Sequence, residues 1–332
     1  MLTKQPDLIL KIKTAKLNLM INYLIFVLSL LGLVFSANFL VSSAKKLSAL
    51  FKLSPLIIGA TVVALGTSMP EFSVAVSSII QKVPSLSMGD IIGSSIVNVC
   101  IILGISILFF PIRVGTEKTQ RNNLITLLLT ASFIGIFFIP LDVRKFLALG
   151  LLSFYVVFLI MEFVWGKEGR KHEDKKAIEK MEKIKGSPIQ YVIKIFLSLL
   201  GLILSGKFLV SSAVGISTLL GLESEIIGLT IIAIGTSLPE LSTSIISGVN
   251  DEDKLLVGDI QGSNIFNLSV LGTLILIFAN TKGESHDISL IFLAVSTLST
   301  ALITHTYSGK NIPRVFGGIL IMIYILYLRL LL

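Results

Sequence analysis

Two glutamates inside long apolar runs are the residues whose chemistry stands out in this chain. Glu71 ends the stretch GTSMPE (66–71), and Glu240 ends the matching stretch GTSLPE (235–240). A carboxylate in apolar surroundings needs a cavity, a cation or a basic partner. The runs 55–80 and 225–248 contain no Lys or Arg. This favours a cation site over a structural ion pair.

The prolines before these glutamates predict a break in each helix. Pro70 has no N–H to donate to the carbonyl of Gly66, and Pro239 cannot donate to that of Gly235. Irregular backbone at membrane depth is tolerated only where it is buried in protein or lines a cavity. We therefore expect free carbonyl oxygens beside both carboxylates.

Hydroxyl groups complete an all-oxygen set at each break. Thr67 and Thr236 lie four residues before the glutamates, on the same helix face. Carboxylate, hydroxyl and carbonyl oxygens suit hard cations such as Ca2+ or Na+, and they do not suit Zn2+ or copper. The stretches predict a site for a hard cation.

A second polar pattern follows each glutamate. Ser94 and Asn98 are four residues apart, as are Ser263 and Asn267. Such pairs explain hydrogen bonding between membrane helices as well as they explain ion ligation. Their repetition near the two glutamates favours ligation.

Asp90 and Asp259 allow two explanations. Each follows a Gly near the start of an apolar run. Capping of a helix N-terminus explains them well, because Asp accepts hydrogen bonds from free N–H groups. We prefer this explanation to ion coordination, which stays open.

Composition indicates an all-α polytopic membrane protein. The 332 residues are 53% hydrophobic and 14% charged, with a mean hydropathy of +0.91. Soluble domains carry about 25% charged residues. Ten runs approach the length that crosses a bilayer, at 22–42, 55–80, 87–110, 122–140, 145–165, 189–212, 225–248, 256–279, 287–305 and 313–332.

The remaining composition excludes several classes of function. The net charge of +8 comes mostly from loops beside the spans, where basic residues set topology. We expect the lipid bilayer as surroundings and no nucleic-acid partner. The single Cys100 excludes a disulfide and argues against a metal cluster. No cofactor motif or catalytic set is present, so we expect no enzyme activity.

An internal repeat organises the chain. Residues 32–105 align without a gap to 201–274, and 32 of the 74 pairs are identical. Five predicted spans separate the two starts, so the second copy enters the membrane from the opposite side. This is the inverted-repeat layout of secondary transporters.

The repeat divides the chain into four parts. A basic arm at 1–20, which we expect to lie at the membrane interface, precedes a first five-helix half at 21–165. A charged loop at 166–187 connects it to the second five-helix half at 188–332. Because Lys and Arg are enriched in cytoplasmic loops, their distribution predicts that the loop is cytoplasmic and that both termini lie on the extracellular side of the cell membrane. A monomer is compatible with this layout.

The paired motifs resemble those of the cation/Ca2+ exchanger superfamily, in its bacterial and archaeal Na+/Ca2+ exchanger-like branch. GATVVALGTSMPE with GDIIGSSIVN, and GLTIIAIGTSLPE with GDIQGSNIFN, look like its two repeats. The resemblance implies Ca2+/Na+ antiport by alternating access, in which the first and sixth helices slide across a fixed core. It implies Ca2+ between Glu71 and Glu240, with oxygens from Thr67 and Thr236, and Na+ sites formed by Ser68, Ser237, Ser94 and Ser263 and the carbonyls of Ala64 and Ala233.

One departure bears on the coupling ion. Well-known Na+/Ca2+ exchangers carry Asp at the second of the two places that are Asn98 and Asn267 here. The expected centre then has two carboxylates, whose charge matches one Ca2+. Exchange of Ca2+ for H+, or with K+ involved, is the alternative at the same carboxylates, and an ion channel fits less well.

Overall fold

Helices form nearly all of the described structure. The computed structural model describes residues 5–51, 53, 55–81, 84–113, 117–168, 187–219, 233–278 and 287–331. Within these ranges, strand-like pairing is limited to an isolated bridge between Arg113 and Asn311. Helices satisfy their backbone hydrogen bonds internally, as lipid requires. The prediction of an all-helical protein is confirmed for the described residues.

Twelve helices can be distinguished in the described part of the chain. In chain order they are α1 (Gln5–Leu50), α2 (Pro55–Thr67), α3 (Met69–Gln81), α4 (Pro84–Val97, extended by Asn98–Leu103 and Gly104–Phe109), α5 (Glu117–Phe137), α6 (Leu141–Glu168), α7 (Pro188–Leu219), α8 (Ala233–Thr236), α9 (Leu238–Val249), α10 (Asp253–Phe278), α11 (Asp287–Thr306) and α12 (Arg314–Leu331).

Several of these helices can cross a membrane. In the described ranges, seven are long and apolar enough, and the bent pair α2–α3 makes eight if it is one span. The protein is therefore a multi-pass membrane protein. Described helices coincide with nine of the ten predicted spans, and 225–248 is described from residue 233 onward. That all ten cross the membrane stays a prediction.

The two charged segments outside the repeats are described in part. From Gln5 the predicted arm continues as one helix, α1, into the first span. Its interfacial position stays a prediction. The charged loop at 166–187 begins within α6, which ends at Glu168, and residues 169–186 lie outside the described part of the chain.

Helices α1 and α7 pack along each other in a reciprocal manner. A Cβ on Gly32 would meet the hydroxyl of Ser205, and a Cβ on Gly201 would meet that of Ser36. Gly32 and Gly201 are equivalent positions of the repeat, as are Ser36 and Ser205, so the two contacts are equivalent with the helices interchanged. Such exchange is what a local two-fold relation between the two helices produces.

Helix α10 is the centre of the larger core. Every residue from Leu255 to Ser269 is buried. Its glycines permit close approach to α2, because a Cβ on Gly262 would overlap the carbonyl of Ala60, and one on Gly258 would overlap that of Leu56. This contact brings the middle of α10 against the first half of α2.

We predict that Gly262→Ala destabilises the protein by about 1–3 kcal/mol, because the added methyl group overlaps backbone that cannot turn away. The measurement is thermal unfolding of the purified protein in detergent. The control is Gly318→Ala in α12, where a Cβ has no neighbour within 4 Å. Equal unfolding temperatures for the two variants would show that α10 and α2 are not in close contact.

Candidate cation-binding site

The predicted helix breaks occur at both GTSxPE stretches. Helix α2 ends at Thr67 and α3 begins at Met69, with a bend of 42° between them. Ser68, between them, has φ −83° and ψ 14°. Ser237 lies between α8 and α9 with φ −86° and ψ 9°. The missing N–H of each following proline explains why the chain turns here.

The two glutamates are buried immediately after these breaks. Glu71 lies in the first turn of α3 and Glu240 in the first turn of α9, and each is 1% exposed. The Ser68 hydroxyl donates to Glu240 Oε1 at 3.0 Å, which joins the first break to the second glutamate. Glu71 and Glu240 lie within electrostatic range of each other.

Within the described part of the chain, no basic side chain forms an ion pair with Glu71 or Glu240. In the described residues, the ion pairs are Lys45–Glu252 and Arg121–Glu162. The Oε2 atoms of both Glu71 and Glu240 are buried and have no hydrogen-bond partner. Buried charges without a partner are costly. The pair therefore has unused capacity to bind a cation.

The threonines of the motif contact the two aspartates. Thr67 Oγ1 donates to Asp259 Oδ1 at 3.2 Å, and Thr236 Oγ1 donates to Asp90 Oδ1 at 3.2 Å. These bonds also exchange under the 169-residue offset. Our preferred explanation of the aspartates was wrong: Asp90 lies inside Pro84–Val97 and Asp259 inside Asp253–Phe266, so neither caps a helix.

The two asparagines serve helix packing through one end of the amide. Asn98 Nδ2 donates to Asn264 Oδ1 at 3.0 Å, and Asn267 Nδ2 donates to Ser94 Oγ at 3.0 Å. Their Oδ1 atoms are buried without a hydrogen-bond partner. The bonds between α4 and α10 therefore leave two amide oxygens available.

The remaining predicted ligands are placed as follows. Ser94 is buried, and its hydroxyl donates to the Ile91 carbonyl at 3.3 Å. The hydroxyls of Ser237 and Ser263 are buried and have no hydrogen-bond partner. The Ala64 carbonyl accepts from the Ser68 N–H at 3.1 Å, and at 3.3 Å it is a second acceptor, beside Asp259, for the single hydrogen of the Thr67 hydroxyl. Ala233 is the first residue of α8.

The structure adds features that our sequence reasoning missed. Asn98 and Asn267 each begin a π-helical turn, Asn98–Leu103 and Asn267–Leu271. Such turns are frequent at functional sites. Asn264, which bonds Asn98 and also donates to the Ser95 carbonyl at 3.2 Å, was not singled out.

Helix α9 has a further polar face beyond Glu240. The hydroxyls of Thr243, Ser244 and Ser247 are buried and have no hydrogen-bond partner. These residues follow Glu240 at helical spacing, so they lie on its face. The first repeat has Val74 and Ala75 where the second has Thr243 and Ser244. The unequal sequence of the repeats was a signal that could have identified this face.

The arrangement is chemically an oxygen site and not a cluster of metal-binding side chains. In the described part of the chain, no three His, Cys, Asp or Glu side chains lie close enough to hold a metal ion by themselves. Any cation here takes ligands from hydroxyl, amide and carbonyl oxygens as well. Such mixed oxygen sets are typical of Ca2+ and Na+.

Broken helices with buried carboxylates, repeated across a local two-fold relation, define a membrane protein of the ion-transporter class. The chain matches the sodium/calcium exchanger protein family over residues 21–164 and 191–332. It belongs to that family.

Relatives of similar length extend this result. The putative antiporter CaxA of Alkalimonas amylolytica is 35% identical over 315 residues, which cover 92% of this chain and 98% of the relative. The sodium/calcium exchanger MaX1 of Methanosarcina acetivorans is 26% identical over 348 residues, covering 93% and 97% of the two chains.

A solved structure shares the fold. The sodium-calcium exchanger NCX_Mj, soaked with Na+ and Sr2+, superposes with a TM-score of 0.80 at 25% identity. The match covers 94% of this chain and 98% of that chain. The helical arrangement described above is therefore that of a sodium/calcium exchanger fold.

We predict that Thr67 and Asp259 are energetically coupled. A double-mutant cycle with Thr67→Val and Asp259→Asn, measured by unfolding in cation-free buffer, should give a coupling energy of about 0.5–3 kcal/mol. The physical reason is that Thr67→Val leaves a buried carboxylate oxygen without its donor.

The matched control for this cycle pairs Thr61→Val with Asp259→Asn. Thr61 lies in the same helix, but its hydroxyl donates to the Ile57 carbonyl at 2.7 Å. The effects of the control pair should add. Additive effects for Thr67 and Asp259 as well would contradict the bond between the repeats.

Proposed function

We propose that this protein is a secondary active antiporter that exchanges Ca2+ for Na+ across the cell membrane. The observation that carries the proposal is the buried pair Glu71 and Glu240, one from each repeat, without a basic partner in the described structure. Two carboxylates supply the charge that matches one Ca2+. Family membership supports cation/Ca2+ exchange as the class of reaction.

The central site takes Ca2+ between the two glutamates. We infer that neutral oxygens around them complete the coordination, since Ca2+ takes six to eight oxygen ligands. The Ser68 hydroxyl, bonded to Glu240 at 3.0 Å, is already beside one carboxylate. The other ligands proposed, for Ca2+ or for Na+, are Thr67, Thr236, Ser237, Ser94, Ser263, Asn98, Asn267 and the carbonyls of Ala64 and Ala233.

Na+ ions around the same carboxylates displace Ca2+ in this account. Ca2+ and Na+ are thus competing substrates, and neither is a resident cofactor. Because Ca2+ and Na+ need the same carboxylates, the site binds either Ca2+ or Na+ at one time. No covalent step is required, so the protein acts as a transporter and not as an enzyme.

Alternating access then exposes the site to one side at a time. We propose ten membrane spans in two inverted halves, with both termini outside and the 166–187 loop in the cytoplasm. The reciprocal contacts Gly32–Ser205 and Gly201–Ser36 support this symmetry. Helices α1 and α7 pack along each other and are the elements that slide across the core around α4 and α10.

Exchange of Ca2+ for protons is the second candidate. It is favoured by the unpartnered Oε2 atoms of Glu71 and Glu240, which could carry protons instead of sharing Na+. Both candidates use the same pair, so the driving gradient separates them.

We predict that 45Ca2+ uptake into proteoliposomes is driven by an outward Na+ gradient. Glu71→Gln and Glu240→Gln should each lower the initial rate by at least about 100-fold, because a carboxylate that ligates a transported cation is replaced by a neutral amide. The measurement is the uptake rate at equal protein content.

The control variant is Asp287→Asn, which neutralises an exposed carboxylate at the start of α11. It should keep the wild-type rate. Uptake driven by a pH gradient and not by Na+ would replace Na+ with H+ as the coupling ion. Normal uptake by either glutamine variant would remove the central site from the account.

A further inference from the structure

Asp90 and Asp259 form a second pair of acidic groups that the proposed centre does not use. Each accepts a hydroxyl hydrogen bond from the GTSxPE threonine of the opposite repeat, at 3.2 Å in both cases. The Glu71/Glu240 pair and the Asp90/Asp259 pair are therefore attached to the same two helix breaks. Four carboxylates, not two, surround this region.

The second oxygen of each aspartate has no hydrogen-bond partner. Asp259 is 0% exposed, and both Asp90 Oδ2 and Asp259 Oδ2 are buried. In the described structure, no Lys, Arg or His forms an ion pair with either group. A single neutral hydroxyl does not offset the cost of burying a charge. A bound cation would offset this cost.

Further unpartnered oxygens lie on the same face of α10. Asp259, Ser263 and Asn267 are spaced by four residues, which places them on one face of the helix. Ser263 Oγ and Asn267 Oδ1 are buried and have no hydrogen-bond partner, like Asp259 Oδ2. Three buried acceptors of different chemistry in one row are unusual, because buried polar atoms are nearly always hydrogen-bonded.

The first repeat has the matching residues Asp90, Ser94 and Asn98 at the same spacing on α4, but only two of them have an unpartnered oxygen. Asp90 Oδ2 and Asn98 Oδ1 are buried without a partner, whereas Ser94 Oγ accepts from Asn267 Nδ2. The row on α10 is therefore the more complete of the two. Both rows begin at an aspartate that is held by a threonine from the other half.

We propose that Asp90 and Asp259 are each a ligand of a further Na+ site beside the Glu71/Glu240 centre. Asp259 Oδ2 binds Na+ together with the Ser263 hydroxyl four residues later, and Asp90 Oδ2 does so together with the Thr236 hydroxyl, which lies 3.2 Å from Asp90 Oδ1. Each site has one carboxylate and neutral oxygens, which match a monovalent hard cation better than a divalent one. This inference rests on the proposed exchange of Ca2+ for Na+.

The proposal accounts for the charge of a site that has Asn at 98 and 267. The negative charge that Asp would carry at the second place is supplied by Asp259, on the same face of α10 as Asn267, and Asp90 adds a further charge in the first repeat. Electrostatic interactions connect Asp259 with Glu240, and Asp90 with both glutamates. Na+ at the aspartates therefore repels Ca2+ at the centre, which couples the two ions.

The test is equilibrium binding of 45Ca2+ to the purified full chain in detergent, titrated with Na+ at constant ionic strength. For Asp90→Asn and Asp259→Asn we expect the Na+ concentration that displaces half of the Ca2+ to rise about tenfold, equivalent to about 1.4 kcal/mol. The Hill coefficient for Na+ should fall, and Ca2+ affinity without Na+ should change by less than about threefold.

A merely electrostatic or structural role gives the opposite order. Loss of a distant negative charge weakens Ca2+ binding more than Na+ binding, because Ca2+ carries twice the charge. The control is Asp253→Asn, at the start of α10, the helix that also carries Asp259. The Asp253 carboxylate accepts from the Arg113 N–H at 3.1 Å, and its replacement should leave the binding of both Ca2+ and Na+ unchanged.

The outcomes separate this inference from the proposed function. If Na+ fails to displace Ca2+ from the wild type, the exchange proposal fails and the Na+ sites fail with it. If Na+ displaces Ca2+ equally from the wild type and both variants, only the aspartate sites are overturned. Displacement by acid that is lost in the variants would assign protons to the pair and overturn Na+.

A wild-type measurement covers the case in which the variants do not fold. Saturation binding of 22Na+ in the absence of Ca2+ should reach about four ions per chain, one for each carboxylate. Saturation at about two ions, the number that the glutamates alone would neutralise, overturns the proposal.

Discussion

Four carboxylates, three buried and one partly buried, form no ion pair with a basic side chain in the described part of the chain, and this constrains the rest of the structure. Glu71, Glu240 and Asp259 are almost fully withdrawn from solvent, and Asp90 has a buried oxygen beside them. Their charges repel, and each lies in a chain built to reside in lipid. Such an arrangement is stable only when cations or protons compensate it. The folded state is therefore stabilised by a positively charged ligand at these carboxylates.

The surrounding helices are shaped to meet that demand. Proline breaks after Thr67 and Thr236 turn the hydroxyls of both motifs toward the opposite repeat. Gly258 and Gly262 let α10 approach the backbone of α2 closely, beside the bond from Thr67 to Asp259. Each central contact therefore joins one half of the chain to the other. Movement of the halves relative to each other would alter the ligand set, which is the physical requirement for alternating access.

The sequence predicted the helical class, the two breaks and the glutamates, because each has a local cause: hydropathy, a missing N–H, or a carboxylate in an apolar run. It misassigned Asp90 and Asp259 as caps, since capping depends on where a helix begins, and the described helices begin well before them. The pairing of Thr67 with Asp259 joins residues 192 apart, and no local pattern contains it. No local pattern predicted the π-helical turns at Asn98 and Asn267, which lie where α4 and α10 are hydrogen-bonded to each other. The repeated spacing Asp90–Ser94–Asn98 and Asp259–Ser263–Asn267 was nevertheless visible, and it favoured a common face over a cap.

The central claim, that Glu71 and Glu240 share one divalent cation, is tested most directly by anomalous scattering from a crystal soaked in Sr2+. The account predicts a single strong peak between the two carboxylates, with an oxygen of each at about 2.5 Å. A strong peak elsewhere, with none between Glu71 and Glu240, would contradict it.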